Sequence, residues 1–371
     1  MVIFIRILHA TALCLVATLL FSAGAYAQET GSSYTWASKR IDGEFWGIAQ
    51  SDIDNDGRVE TVLLERQRIM VGYINDKSFE ESFTCGWKGA AKAAKLYLYD
   101  LDEDGQDDAV ITAVEDGLPA SLALKISKDG CEQIISRARW SLRVITEPDS
   151  SQKKLIGQGW STQQYFIGPI YEIALKNKKL KKAEKLKLPA RTKLYEFTFL
   201  PPIDDMPAVA LLKGEERLEV KQHVKGNKWR RVWRSAEKFG GSANYLYAVQ
   251  RPALDEIASD VAYFDMPPLT LSHPDGVHLF VAHYNFSLKG MIGRHGHVKE
   301  SRIVEYRPDP ALTFVEQMNT QKLSGYVVDY IIARHASNEE GERRQLIVLL
   351  QNNISAFESP LQAIILAYDI N

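Results

Sequence analysis

Two short stretches of this chain carry the residue types and spacing that capture a hard cation. Asp52-Ile-Asp54-Asn-Asp56-Gly57-Arg58-Val-Glu60 is matched by Asp100-Leu-Asp102-Glu-Asp104-Gly105-Gln106-Asp-Asp108. Carboxylates at the first, third and fifth positions converge when the backbone curls around an ion, and a glycine at the sixth takes the sharp turn. The seventh residue offers its main-chain carbonyl and the ninth closes the shell. The expected ligands are therefore Asp52, Asp54, Asp56, the carbonyl of Arg58 and Glu60 in one loop. In the other they are Asp100, Asp102, Asp104, the carbonyl of Gln106 and Asp108. Calcium suits such a flexible all-oxygen set better than magnesium, which demands tight octahedral geometry and keeps its waters. Two structural Ca2+ sites are the expectation, since four converging carboxylates repel one another until a cation joins them.

The surroundings decide what holds these loops. An EF-hand would flank each loop with helices and place a bidentate Glu at position twelve. Here that position is Leu63 in one copy and Ile111 in the other, and both loops run into β-rich segments, Glu-Thr-Val-Leu-Leu-Glu and Asp-Ala-Val-Ile-Thr-Ala. Each loop thus joins two strands. Period-two apolar alternation dominates the whole chain, with Gly, Asn, Asp and Pro at the breaks and no sustained helical period. The two loops are spaced by about 48 residues, and four strands per unit of that length is the period of a β-propeller blade. The predicted units are approximately 44–87, 92–140, 142–189, 193–234, 242–318 (with an insertion at 251–260) and 324–371. The last has three clear strands, and the N-terminal segment 34–41, with Trp36 in the place of Trp87 and Trp140, supplies the fourth and closes the ring. The fold class expected is all-β, a single propeller of six four-stranded antiparallel blades, or seven if the long unit splits.

Residues 1–27 read as an export signal: Arg6 leads an apolar run from Ile7 to Phe21, and Ala25-Tyr26-Ala27 forms a small-residue cleavage site. No later stretch is apolar enough to span a bilayer. Residues 28–371 are thus expected to form an exported chain, periplasmic or secreted, and a monomer. A formal net charge of −2 gives no reason to expect a nucleic-acid partner. Outside the signal only Cys85 and Cys131 remain. They could pair in an oxidising compartment or stand as two buried strand residues, and spacing alone leaves both open.

The two acidic loops with their flanking strands resemble FG-GAP (VCBS-type) repeats, the calcium-binding blades of integrin α-subunit propellers and of many exported bacterial proteins. The match covers the first two units. Phe45-Trp-Gly47 sits where the family has Phe-Gly, without its Gly-Ala-Pro half. In the fourth unit Pro201-Pro-Ile-Asp204-Asp205, and in the sixth Arg334-His-Ala-Ser-Asn-Glu-Glu-Gly341, stand where acidic loops would be and lack the ligand pattern. Phe239-Gly-Gly-Ser-Ala-Asn244 and the 325–329 strand also look like exported bacterial repeat proteins of uncharacterised activity. The resemblance implies a fold and an ion, and no activity.

Other stretches have plain structural readings. Lys176, Lys178, Lys179, Lys181, Lys182, Lys185 and Lys187, interleaved with Leu180, Leu186 and Leu188, read as an outer edge hairpin whose lysines discourage strand pairing. Lys228-Trp229-Arg230-Arg231-Val-Trp233-Arg234 places Trp229, Arg231 and Trp233 on one face, packed between blades. His295 and His297, with His278 and His283 upstream, lack the Cys or paired acid that would complete a zinc set. No nucleophile elbow, phosphate-cradling loop or HExxH helix is present, since Gly240-Gly-Ser242-Ala-Asn244 lacks the elbow's second glycine. The chain is accordingly expected not to be an enzyme but a binding module for a protein or glycan partner. Alternatives are a polysaccharide-acting enzyme with acids in a central channel and a lectin-like adhesin using the Lys-rich or Trp/Arg-rich strands.

Overall fold

The computed structural model describes residues 31–75, 77–128, 130–147, 152–160, 165–214, 216–247, 261–287, 298–309, 313–335, 343–352 and 361–370. The signal segment, the 251–260 insertion and His295 and His297 lie outside them. Among the described residues there is no helix; each short apolar run has become one strand. Six four-stranded antiparallel sheets form the blades of a β-propeller. Blade one is Phe45–Ser51, Glu60–Glu65, Arg68–Asn75 and Ser78–Gly86. Blade two is Lys92–Tyr99, Asp108–Glu115, Ser121–Ser127 and Gly130–Ala138. Blade three is Ser141–Thr146, Lys153–Gly159, Ile167–Lys176 and Lys179–Lys185, and blade four is Phe197–Ile203, Met206–Leu212, Leu218–Lys225 and Lys228–Arg234. Blade five is Leu269–His273, Gly276–Phe286, Val298–Pro308 and Phe314–Asn319. Blade six is Tyr326–His335, Arg343–Gln351, Gln362–Asp369 and, as its outer strand, the N-terminal Trp36–Ala37. Trp36 pairs with Ala367 and Ala37 with Leu366, so first and last segments close the ring as expected.

Strand alternation divides each blade's apolar residues between its two neighbours, and the result is one buried cluster per blade interface. In blade one Val62 and Leu64 face Leu98, Ala109 and Ile111 of blade two, whereas Leu63 points the other way, to Ile347 and Leu349 of blade six. In blade two Val110 and Ala123 meet Leu142, Leu155 and Ile173 of blade three. Ile156 and Ile170 meet Phe197, Val209 and Leu211 across the next interface, and Ala208 and Val220 meet Leu279 and Val304 after that. Phe280 and Ile303 close on Leu346 and Val348. A strand packed on both faces must be apolar throughout. This is why the second strands read as unbroken runs, such as Thr-Val-Leu-Leu and Leu-Ile-Val-Leu-Leu, while outer strands carry the charges.

Blade five departs from the reading of its sequence. Val261–Phe264, whose alternation reads as a strand of this unit, is not part of the blade: Val261–Tyr263 pairs with Tyr245–Tyr247 as a separate two-stranded antiparallel sheet, and Leu269–His273 takes the inner position. Both segments have strand-like alternation. Pro267 and Pro268, which have no main-chain N–H to give a sheet, separate them, and the tight turn at His273-Pro-Asp-Gly276 commits the second one to the blade. Asn244 and Pro267, on either side of the insertion, instead bond to Tyr326–His335, the inner strand of blade six. Asn244 Nδ2 donates to the Val328 carbonyl at 3.2 Å, and the Tyr330 hydroxyl donates to that of Pro267 at 2.9 Å.

Candidate functional site

The two acidic loops fold into the same conformation. In the first, Asp52 accepts hydrogen bonds from the main-chain N–H of Asp56 at 3.1 Å and of Gly57 at 3.0 Å, and Asp56 Oδ1 accepts from Arg58 N at 2.7 Å. In the second, Asp100 accepts from Asp104 N at 3.0 Å and Gly105 N at 2.9 Å, and Asp104 Oδ1 accepts from Gln106 N at 3.0 Å. Asn55 and Glu103 both sit at left-handed φ, 58° and 61°, directly ahead of Asp56 and Asp104. Gly57 and Gly105 follow at φ 84° and 89°, where a side chain would be strained. The closing residues turn inward: Glu60 is 5% exposed and Asp108 1%. Glu60 Oε2 accepts from Ile53 N at 2.7 Å and Asp108 Oδ2 from Leu101 N at 3.1 Å.

One carboxylate oxygen from each of Asp52, Asp54 and Glu60 lies within 4.8 Å of the other two, and the same holds for Asp100, Asp102 and Asp104. Asp56 and Asp108 stand outside these trios. The fit of the first loop to a cation rests on Glu60, a buried carboxylate that gathers with Asp52 and Asp54 and has the Tyr73 hydroxyl beside it. Burial pushes its acidity down, so its pKa is raised, and burial pushes that of Asp108 up to about 7, with Asp102 and Asp104 adding repulsion. A divalent ion is what would compensate such charges.

The loops differ in what stands over them. Antiparallel register places Tyr73 beside Glu60, and Arg58 stacks on that ring at 4.0 Å. The equivalent partner of Asp108 is Lys125, whose ammonium pairs with Asp102 at 2.9 Å and with Asp104. The second loop thus supplies its own cation. Replacing it in Lys125→Met is expected to strengthen calcium binding at that loop severalfold while leaving the first unchanged; calcium calorimetry showing no change at the weaker site would mean the ammonium does not compete.

Blades one and two are also joined to each other more closely than alternation alone requires. Asn55 Nδ2 donates across to the Gly105 carbonyl at 3.4 Å, and Ser51 Oγ donates to Asp107 Oδ2 at 2.6 Å. Lys153 of blade three binds that same oxygen at 2.6 Å. At the rim, Cys85 and Cys131 form a disulfide between the two outer strands, with Cα atoms 5.9 Å apart.

The remaining candidate residues serve the fold. The Lys-rich strand Lys179–Lys185 is an exposed outer edge, as read. Asp204 and Asp205 form a two-residue turn with both φ positive, 50° and 59°, the backbone of a hairpin rather than a ligand loop. Trp229 and Trp233 do not share a face. Val220 pairs with Trp233 and Lys221 with Arg231, so Val232 is an extra residue that flips the alternation between them. Trp233 packs on Tyr306 and Phe314 of blade five, and Trp229 stacks on His223.

At the axis the inner strands bring together a polar cluster that sequence spacing did not reveal. Lys95 and Arg143 are 2% and 3% exposed. Lys95 Nζ lies 2.7 Å from Met266 Sδ; burial lowers its pKa, opposed by the nearby carboxylates of Asp329 and Asp265. Burial in turn raises Asp329, opposed by Lys95 and by N–H donors from Ile48 at 3.2 Å and Tyr330 at 3.1 Å. Gly47 makes that approach possible, since a Cβ there would meet Asp329 Oδ2 at 3.2 Å and Leu96 Cβ at 3.3 Å. Arg143 Nη1 donates to the carbonyls of Leu194 at 2.9 Å and Phe197 at 2.5 Å, and Tyr195 and Tyr330 stand close to it. Asp329, Asp265 and Tyr97 are each half-buried, keeping part of their surface accessible.

No family model matches this chain, so the FG-GAP/VCBS resemblance stands on the two loops alone. No curated protein matches it either. Among solved structures it is similar to a protein provisionally named a 6-phosphogluconolactonase, from Bacteroides fragilis NCTC 9343. That pair shares 12% identity over 88% of this chain and 83% of the other, at a TM-score of 0.40. A glucose dehydrogenase is similar at 11% identity over 91% and 99% of the two chains, at a TM-score of 0.45. The expectation that the chain is not an enzyme is corrected here: both of these structures bear enzyme names. At such identities and TM-scores the likeness is one of outline, and neither activity is carried to this chain.

Proposed function

We propose that this chain is an exported β-propeller that binds a protein or glycan partner, with calcium fastening its first two blades. The observation that carries the reading is the first acidic loop: three carboxylates within 4.8 Å, one of them the buried Glu60. Calcium would be held there by Asp52, Asp54 and Glu60 and in the second loop by Asp100, Asp102 and Asp104, and its role is to cancel charge and pin the loop between two strands. The Cys85–Cys131 disulfide supports export, since such bonds persist in oxidising compartments.

The test is thermal unfolding with calcium titrated against EDTA. The melting temperature is expected to rise by several degrees with calcium, and by clearly less in Asp54→Ala, because a ligand of the native state alone stabilises it by mass action. A flat response in the wild type removes calcium from the reading. Retention on protein or glycan matrices, compared with and without calcium, then tests the binding role.

One observation favours a second reading, an enzyme working at the axis. Asp329 and Asp265 both stand near the buried Lys95 and keep part of their surface accessible, and burial holds Asp329 more basic than an ordinary carboxylate, as a general acid requires. Hydrolysis of polysaccharides that disappears in Asp329→Asn, with the fold retained, would establish it; no turnover of any polysaccharide by the wild type would remove it.

A further inference from the structure

The turn between the first two strands of blade five occupies the place that the acidic loops hold in blades one and two, but its residues are of another kind. Cross-strand pairing sets His273 opposite Gly276 and Leu271 opposite His278. Directly paired residues, and those two apart on one strand, share a side of the sheet, so both histidines face the same way. On the third strand Glu305 pairs with Phe280, which places Glu305 and Arg307 on that side as well. Asp275, in the turn, completes the group. His278 Nε2 lies 2.9 Å from Asp275 Oδ1, and His273 Nδ1 bonds the same oxygen. One ligand atom from each of the three lies within 4.8 Å of the other two.

Two further features separate this cluster from a chance meeting of surface side chains. The His278 side chain is 1% exposed, and its second nitrogen, Nδ1, lies 3.0 Å from Glu305 Oε1, itself 2% exposed, though off the alignment of a hydrogen bond. A buried carboxylate behind an imidazole is the arrangement that fixes the ring's tautomer and turns its other nitrogen toward a metal. Arg307 then holds both acids: Nε meets Glu305 Oε1 at 2.6 Å and Nη1 meets Asp275 Oδ2 at 3.0 Å, which leaves Asp275 Oδ1 for the cluster.

We propose that His273, Asp275 and His278 form a binding site for a zinc-class divalent cation, with Glu305 as the positioning residue behind His278. Two imidazole nitrogens and one carboxylate oxygen select zinc and its neighbours over calcium, which takes oxygen alone. The side chains of His273 and Asp275 are 28% and 49% exposed, so the ion enters from solvent and keeps an open position toward it. An internally hydrogen-bonded cluster, with both imidazoles donating to Asp275, is the competing account.

The test uses tag-free full chain stripped of metal, held in saturating calcium, and titrated with zinc chloride against a chromophoric chelator. The wild type is expected to take up one zinc equivalent more than a His273→Ala/Asp275→Asn double variant, whose substitutions are at the more exposed positions. Its melting temperature should also rise with zinc, where the variant's does not. Glu305→Gln is expected to keep the site and weaken it about tenfold. Asp54→Ala and Asp102→Ala should leave zinc uptake unchanged, which separates this site from the acidic loops. Equal uptake by wild type and double variant, or no uptake by either at equal stability, overturns the proposal in favour of the hydrogen-bonded cluster.

Discussion

Asp329→Ala is expected to destabilise the protein by roughly 3 kcal/mol, among the largest effects of any single polar substitution outside the loops. The carboxylate accepts N–H bonds from Ile48 and Tyr330 and is the carboxylate that acts most strongly on Lys95. Truncation leaves a buried donor on the inner strand of blade one without its acceptor and removes the main counter-charge of a buried ammonium. Both are costs that a well-packed apolar replacement of the whole pair would not incur. The companion substitution Lys95→Met, close in length and volume, is therefore expected to cost less. The double variant Lys95→Met/Asp329→Asn should recover much of the loss, since the amide oxygen of the introduced asparagine can still accept one of the two N–H bonds. A double-mutant cycle by chemical or thermal denaturation, closed with the single variant Asp329→Asn, measures the coupling. Losses that simply add, or a loss below about 1 kcal/mol in Asp329→Ala, would show that Lys95 and Asp329 do not support each other.

That cluster also marks the boundary of what the chain discloses on its own. Alternation within a strand and repetition between blades are local signals, and they were enough for the fold class, the blade period and the ring closure through Trp36. Lys95 stands in Lys-Leu-Tyr-Leu-Tyr, which reads as an ordinary strand with a charged end. Nothing in that spacing says that Asp329, Arg143 and Asp265 meet it at the axis, because they arrive on other elements far along the chain. Where two segments have equal strand character, as Val261–Tyr263 and Leu269–His273 do, topology is settled by what comes between them. Here that is a pair of prolines and a tight turn.

The metal-binding candidates show the same division. In each acidic loop the expected ligands fall within nine residues, so type and spacing suffice to propose them, and the structure brings three carboxylates of each set within 4.8 Å of one another. Which oxygens remain free was not legible. Nor was Lys125, which reaches the second loop from the third strand of the blade. The histidine cluster was missed for a related reason. His278 drew attention with the downstream histidines, whereas its partners His273 and Asp275 lie before it across a hairpin turn and Glu305 on the next strand. The signal present was His273-Pro-Asp-Gly276 with a histidine two residues on, a turn that puts the flanking side chains on one face.

Removing the disulfide, in Cys85→Ala/Cys131→Ala, is expected to cost about 2–4 kcal/mol, and more without calcium than with it. The two cysteines are 46 residues apart, Cys85 near the end of the outer strand of blade one and Cys131 near the start of that of blade two. A cross-link over a loop of that length restricts the unfolded chain considerably, and chain-entropy reasoning puts the limit near 4 kcal/mol. In the native ring the bond acts at the rim, on strands that are largely exposed, while the loops join the same two blades through Asn55–Gly105 and Ser51–Asp107. On the reading proposed above, calcium would cancel the loop carboxylates and strengthen one connection between the blades as the disulfide does the other, so either one would limit the damage when its counterpart is lost. The expected pattern in thermal melts is non-additive: reduction lowers the melting temperature by several degrees in EDTA and by clearly less in saturating calcium. Equal drops under both conditions would mean that the rim and the loops stabilise separate parts of the ring, and that the first two blades do not behave as one fastened unit.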